Sequence, residues 1–359
     1  LYNMKILLVT FSDNADHQDT VFGLYEQMYG GEHDIYLLAI KTPKVSLSHS
    51  DHTWLVDCPK RPGIEKKTFD LPTLFSIVRK VQKGHFDVIF FESLHTWNLP
   101  IMLFSGKAHT YQEIHDVIPH KGDKQVKMVE LMNKVVTKLA DTIVLANKSY
   151  IPYLQDHYHL PSSRITYLEL WRRYPSYTEP QYSGKILFFG RINPYKGADN
   201  LLLLTDLCPE IKFEIVGRVD EQMQSLAEQL RAKPNVTLND SYVTDTQMRD
   251  AFIRCDWVIL PYNSATQSGV IIDSYKYSRP VIAFDVGAIS EQVAAGCSGY
   301  LVEAGNITKF AETLRTAVAM DKEAYHTITQ NAYKYGSQKY AVSGAVPRFL
   351  QMLLKTGQA

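Results

Sequence analysis

The sequence predicts an α/β protein of two doubly wound, Rossmann-like domains facing each other across a cleft. Three observations carry that expectation. The chain has 359 residues, room for two domains at the usual ~150 residues each. Short apolar runs alternate with helix-like stretches, which calls for parallel sheets joined by right-handed crossovers. The alternation then restarts at Lys185, after a Pro- and Tyr-rich linker over 173–183. The expected divisions are 1–177, 178–335 and a C-terminal helix over 336–359 that crosses back to the first domain.

The elements follow in order. Residues 4–10 (Met-Lys-Ile-Leu-Leu-Val-Thr) are nearly all apolar, as suits a central strand covered on both faces. A polar loop over 11–19 precedes a helix near 20–29. Strands are expected at 34–40, 86–91, 108–115 and 141–146, with helices at 71–81 and 125–139. In the second half strands are expected at 186–189, 212–216, 236–238, 257–260, 281–284 and 299–301. Helices near 199–207, 221–232, 246–254, 269–277 and 307–319 separate them, and the tail is helical over 333–354.

Composition narrows the function. Lys plus Arg equal Asp plus Glu at 38 each, so the formal net charge is zero, which argues against nucleic acid as a partner. Hydrophobic residues make up 45%, enough for a core in each half. No apolar run approaches the ~18 residues that span a bilayer. Cys58, Cys208, Cys255 and Cys297 lack metal-ligand spacing and read as reduced thiols, so the expected location is cytoplasmic. Neither half carries G-x-G-x-x-G after its first strand, which speaks against a dehydrogenase.

Residues 184–197 are the most informative segment. An apolar run ends at Gly190, Arg191 and Lys196 follow, and Pro194 and Gly197 shape the turn before a helix resumes. Ligands of open α/β sheets bind at the carboxyl ends of strands, and two cations there suit a diphosphate. Read alone, the segment is equally a helix N-terminus with two solvated cations. A second segment, 259–293, ends a strand at Pro261 and starts a helix near Gly269, whose first-turn amides suit phosphate oxygens. Asp273, one turn further, is placed to accept ribose hydroxyls.

These segments resemble the retaining, GT-B-fold glycosyltransferases of glycosyltransferase family 4. Gly190-Arg191 and Lys196-Gly197 match the family's G-R-x-x-x-x-K-G. Val216-Gly217 resembles its glycine-ended strand, and 255–261 its A-D-v-v-l-P. Arg279-Pro280-Val281-Ile282-Ala283, then Gly287 and Glu291, resemble G-x-P-V-I-A … G-G-x-x-E. The resemblance implies that Arg191 and Lys196 bind the donor diphosphate and stabilise the leaving group. It implies that Gly190, Gln267, Ser268, Gly269 and Val270 line the donor phosphates, and that Asp273 stands at the second glutamate of a paired-glutamate motif. The first glutamate of that pair is absent: the position is Ala265, with Thr266 and Gln267 the neutral substitutes beside the donor sugar.

In the first half, 113–119 resembles the family's H-D-x-x-P segment, whose histidine faces the donor sugar, here His115. Asp16 and His17, after the first strand, and Glu92 and His95, after the 86–91 strand, are the acceptor-side candidates. A solvated loop and structural histidines explain them as well. The resemblance implies acceptor binding by the first domain, donor binding by the second, and retention of configuration without a protein nucleophile. No cofactor is expected besides the nucleotide-diphosphate sugar as co-substrate, and no metal, as the chain has no D-x-D triplet. The expected activity is hexosyl transfer to a glycan or lipid-linked acceptor, in polysaccharide or glycoconjugate synthesis. Lys60, Arg61, Lys66, Lys67, Arg79, Lys80, Lys83, Lys127, Lys134 and Lys138, with apolar Met128, Leu131, Met132 and Val135, suit contact with an anionic membrane at the cytoplasmic face. A nucleotide-sugar binding subunit without activity, and a nucleotide-sugar epimerase of the same fold, stay open.

Overall fold

The computed structural model describes residues 3–41, 46–60, 65–118 and 126–356. Pro119, Arg61 and Gln125, and residues 357–359 of the expected tail helix, lie outside the described residues. The chain divides into one unit of Leu1–Arg173 with Tyr340–Ala359, and a second of Tyr174–Lys339.

The first unit is a seven-stranded parallel sheet. Its strands are β1 (Lys5–Thr10), β2 (Asp34–Ile40), β3 (Thr53–Val56), β4 (Val88–Phe91), β5 (His109–Ile114), β6 (Thr142–Leu145) and β7 (Ile165–Tyr167), in the spatial order β3-β2-β1-β4-β5-β6-β7. Strand β1 is central, with Leu7 opposite Tyr36 on one side and Ile89 on the other. The short strands β3 and β7 carry too few apolar residues to stand out in the sequence. The period of two divides β1 cleanly: Leu7 and Val9 enter one core, Ile6 and Leu8 the other.

The Leu7 face is covered by helices Leu71–Gly84, Asn98–Leu103, Val126–Leu139 and Ile151–Tyr158, through Ile77, Ile101, Val136 and Leu154. The opposite face has only helix Ala15–Met28 from the first stretch of chain. The rest of its cover comes from the far end, where helix Val342–Thr356 buries Ala345, Phe349, Met352 and Leu353. Phe349 meets Phe90 edge-on at 5.1 Å between ring centroids. The return is fastened by backbone bonds from Arg172 N–H to Tyr340 O (2.8 Å) and from Val342 N–H to Arg172 O (3.0 Å). The tail is thus two helices, Lys322–Tyr340 and Val342–Thr356, meeting at Ala341.

The second unit is a six-stranded parallel sheet of β8 (Lys185–Phe189), β9 (Lys212–Val216), β10 (Val236–Asn239), β11 (Trp257–Leu260), β12 (Val281–Asp285) and β13 (Gly299–Glu303), ordered β10-β9-β8-β11-β12-β13. All six strands, the four α-helices between them and the helix Ile307–Val318 after the last strand fall where the apolar runs and helix-like stretches place them. Strands β8, β11 and β12 are central and almost wholly buried. In each sheet the chain turns back once, between β1 and β4 and between β8 and β11. Such switch points leave a crevice at the carboxyl edge.

One correction bears on the site. The polar stretch 11–19 is not all loop: helix Ala15–Met28 starts inside it, with the Asn14 side chain accepting from Asp16 N–H. Asn is a strong helix start, and an acidic residue in the first turn suits the dipole. His17 therefore sits on a fixed helical turn.

Phe349→Ala should lower the unfolding free energy of the first unit by about 3–5 kcal/mol, the cost of an emptied aromatic site. Urea unfolding followed by hydrogen exchange at β1 measures this, and an unchanged midpoint would show that the tail helix contributes nothing to that core.

Candidate functional site

In the second unit the loop after β8 is held in one shape by the loop after β11. The Asn263 side chain donates to Pro194 O (2.8 Å) and to Asp199 Oδ1 (3.2 Å). Asn200 donates to Pro261 O (2.9 Å) and to Asn263 Oδ1 (2.8 Å), and Asn263 N–H donates to Tyr195 O (2.8 Å). Within the loop, Lys196 N–H donates to Asn193 Oδ1 at 3.0 Å. Gly197 has φ +69, and a Cβ there would strike Pro261 O, so the two loops approach this closely only with glycine.

Lys196 folds back over Gly190, where a Cβ would collide with its Nζ, and its ammonium lies 5.5 Å from the centre of the Tyr262 ring. Burial, and then the like charge of Arg191, push the Lys196 ammonium down to about 8. Arg191 itself is exposed. An enclosed ammonium whose proton affinity is lowered by burial and by a neighbouring cation is a site prepared for an anion.

The helix Gly269–Lys276 starts beside this loop with no side-chain cap on its first amides. Ser268 is a correction. Its N–H donates to Gln292 Oε1 (2.7 Å) and its C=O accepts from Gln292 Nε2 (3.1 Å), so its amide is spent within the fold. Gln267, Gly269 and Val270 are left as amide donors. Gln267 Oε1 is buried without a hydrogen-bond partner among the described residues. Asp273 is buried on the inner side of the same helix, and Ala265 is buried in the loop before it.

In the first unit three candidates meet at the carboxyl ends of β1, β4 and β5. Glu92, just past β4, is buried. Its Oε1 accepts from His17 Nδ1–H and from His115 Nε2–H (3.0 Å), and its Oε2 from Thr10 Oγ1 (3.1 Å). His115 Nε2–H is shared with Glu92 O at 2.9 Å, while Nδ1 lies 3.7 Å from Glu113 Oε1. The two imidazole rings pack edge-on at 4.6 Å.

Charge explains the proton positions. Burial alone would raise the Glu92 carboxyl, but His17 and His115 outweigh it and hold it at about 2. Burial works against the His115 cation, yet Glu113 and Glu92 together raise it to about 9. Glu113 is pushed up to about 7 by burial, against the pull of the His115 cation. Asp16, on the first helical turn, points outward, with an oxygen 4.0 Å from Arg172 Nη2.

His95 does not join this group. It is buried, its Nε2–H donates to Pro59 O (3.0 Å), and its Nδ1 accepts from Trp97 N–H (3.1 Å). Burial lowers it to about 4, so it is a neutral structural histidine. The ligand atoms of His17, Glu92 and His115 lie within 4.8 Å of one another and are the group of described residues with the composition of a metal centre.

Comparison with known proteins bears on the family resemblance and the fold. Residues 175–335 match the family profile "Glycosyl transferases group 1". The match covers nearly the whole of the second unit and less than half of the chain. The chain is 32% identical over 120 residues to the GDP-mannose:glycolipid 4-beta-D-mannosyltransferase of Xanthomonas campestris pv. campestris, covering 32% of this chain and 34% of that protein. It is 22% identical over 246 residues to the D-inositol 3-phosphate glycosyltransferase of Thermobispora bispora, covering 61% and 56%. The match to the Xanthomonas protein therefore spans about a third of its length. Among solved structures, Anabaena HepE in complex with UDP and glucose is similar with TM-score 0.74 at 16% identity, over 98% of this chain and 99% of that one. A glycosyltransferase from Rickettsia africae gives 0.74 at 14%, over 99% of each. The fold is that of GT-B glycosyltransferases.

Thr10, Glu113, Asn193, Asn263 and Gln292 escape a reading of the sequence, because each works through a partner distant in the chain. Glu113 gives a pH test. Its folded carboxyl is raised above the unfolded value, so its contribution is fully present below about 4.5 and is lost as the pH rises through about 7. Glu113→Gln should remove that decline, of roughly 3 kcal/mol, between those values. Urea midpoints against pH measure it, and a variant with the wild-type slope would show that Glu113 titrates freely.

Proposed function

We propose that this chain is a glycosyltransferase that moves a hexosyl group from a nucleoside-diphosphate sugar to a glycan or lipid-linked acceptor. The observation that carries it is the Arg191–Lys196 loop, braced by Asn263 and Asn200, at the switch point of a group 1 domain. Cleavage of the bond from sugar to diphosphate builds negative charge on the phosphates. Charges already fixed there lower the barrier most. Arg191, Lys196 and the amides of Gln267, Gly269 and Val270 supply them without a metal ion or cofactor. Asp273 is the ribose partner, and the unpaired Gln267 oxygen takes a sugar hydroxyl in place of the missing glutamate at Ala265. Names of relatives support GDP- or UDP-sugars as donors.

Retention of configuration, with the leaving phosphate taking the acceptor's proton, is the course the family resemblance implies. A binding subunit without activity draws its support from Ala265 and is separated by nucleoside-diphosphate release, which it would not show.

Contact with an anionic membrane is part of the proposal, with the first unit as the acceptor-binding one. On helix Leu71–Gly84 the residues Leu71, Phe75, Arg79 and Lys83 follow at steps of four and form an exposed face opposite the buried Ile77, Val78 and Val81. Phe69 before it, Leu103 and Phe104 on the adjoining helix, and Met128 and Leu131 on the next are more than 40% exposed. Lys66, Lys127 and Lys134 are exposed on these same segments. Exposed aromatic and aliphatic groups bordered by cations suit a headgroup boundary. Among the described residues no helix is long and apolar enough to cross a membrane. All four cysteines are free thiols, which fits the cytoplasmic side.

Lys196→Ala should lower turnover by about 10²–10³, and near-normal turnover would remove Lys196 from the reaction. Because Lys196 loses its proton near 8, affinity for the nucleoside diphosphate should fall as the pH climbs past that value. Lys196→Arg should flatten the fall, as calorimetric titration with GDP and UDP would show. Flotation with vesicles containing a quarter phosphatidylglycerol should capture the protein, and Phe69→Ala with Phe75→Ala should weaken capture by about tenfold or more. Equal capture of the double variant would refute this membrane face.

A further inference from the structure

We propose that His17, Glu92 and His115 form a binding site for a divalent transition-metal ion, Zn²⁺ by its ligand set. The site lies wholly within the first unit and does not rest on the transferase reading above. No step of the proposed transfer runs through the ion.

The three ligands come from segments far apart in the chain: the first turn of helix Ala15–Met28, the residue after β4 and the residue after β5. His17 Nδ1, Glu92 Oε1 and His115 Nε2 lie within 4.8 Å of one another, and His115 Nε2 is 3.0 Å from Glu92 Oε1. Around a tetrahedral ion with bonds of ~2.0–2.2 Å, ligand atoms stand about 3.3–3.6 Å apart. The triangle is thus close to the size such an ion requires. The remaining adjustment falls on His17, which approaches Glu92 most closely and is 26% exposed, so its ring has room to move outward. Two imidazoles and one carboxylate suit Zn²⁺, whereas Mg²⁺ and Ca²⁺ take oxygen ligands.

The residues behind the ligands are those a metal centre keeps. A metal-bound imidazole donates its other N–H to a carboxylate or carbonyl, which fixes the ring and raises its basicity. His115 has that partner, since its Nδ1 faces Glu113 Oε1 at 3.7 Å. Glu113 is fully buried, and neither of its side-chain oxygens has a hydrogen-bond partner among the described residues. A buried carboxyl left in that condition is costly. An ion on His115 Nε2 commits the remaining ring N–H to Nδ1 and gives Glu113 the donor it lacks. Glu92 is held in a similar way: Thr10 Oγ1 donates to its Oε2 (3.1 Å) and leaves Oε1 as the ligand. The Asn14 side chain, accepting from Asp16 N–H, fixes the helical turn that carries His17.

Binding exchanges protons for the ion. The Nε2 proton of His115 leaves to solvent, and with it goes the bond to Glu92 O. The Nδ1 proton of His17 passes by way of solvent to Nε2. Three protein ligands leave the fourth position to water. The bound ion ties helix Ala15–Met28 to the ends of two strands.

The test titrates the full chain, treated with EDTA and free of any histidine tag, with Zn²⁺ against a chelating dye. Wild type is compared with His17→Ala, His115→Ala, Glu113→Gln and, as a control at an exposed histidine, His49→Ala. Wild type should take one equivalent of Zn²⁺ and ignore Mg²⁺. His17→Ala and His115→Ala should each lose that equivalent, Glu113→Gln should weaken binding about 10- to 100-fold, and His49→Ala should bind as wild type does. Zn²⁺ should raise the thermal midpoint of wild type and leave that of His17→Ala unchanged. Wild type loaded with Co²⁺ needs no variant and should show the visible absorption of a four-coordinate ion. No uptake by wild type, uptake that survives His17→Ala and His115→Ala, equal affinity in Glu113→Gln, or the weak spectrum of six-coordinate Co²⁺ would overturn the proposal.

Discussion

Parallel strands cannot be joined by tight turns. Each connection must leave one end of the sheet and return along its face to the other. In both units this brings every strand's carboxyl end to one edge, and the chain reverses its direction of travel across the sheet once. Glycine, asparagine and histidine can then meet at that edge from segments far apart in sequence. Thr10, His17, Glu92 and His115 meet in this way in the first unit. Gly190, Lys196, Pro261 and Asn263 do so in the second.

The two edges solve opposite electrostatic problems. In the first, buried carboxylates need partners, and two imidazoles and a hydroxyl supply them. In the second, two cations stand close together, and the cost of enclosing Lys196 appears as its lowered proton affinity. The first edge is held by hydrogen bonds to the Glu92 carboxylate, whereas the second is held by neutral hydrogen bonds, chiefly from asparagines, which keep their geometry across the pH range in which Lys196 titrates.

Legibility in the sequence followed how local each signal was. The long apolar runs of β1, β2, β8, β11 and β12 announce themselves, as does the Gly190–Gly197 turn. The four- and three-residue edge strands β3 and β7 do not, since runs so short offer too few apolar residues to stand out. Polar residues over 11–19 suggested a loop, yet Asn14 starts a helix there, because those polar groups face the site and cap the helix. Sequence position brought His115, His17 and Glu92 forward separately; that they share one carboxylate is a fact of folding. His95 looked equivalent to them, but the backbone of Pro59 and Trp97 takes up both its nitrogens. The amide of Ser268 was spoken for by Gln292, twenty-four residues on.

The returning tail has a consequence for how the molecule is made. The second unit is continuous in sequence, whereas the first needs residues beyond Lys339 to cover one face of its sheet. On the ribosome the first unit is therefore synthesised early but finished late. Its exposed apolar face must wait while the whole second unit is translated and compacts. A ribosome that stalls near the end leaves a sound second unit beside a first unit with half its core uncovered, a natural target for chaperones and proteases. Helix Val342–Thr356 thus makes the finished scaffold of the first unit, with its His17–Glu92–His115 group, depend on chain made after the second unit.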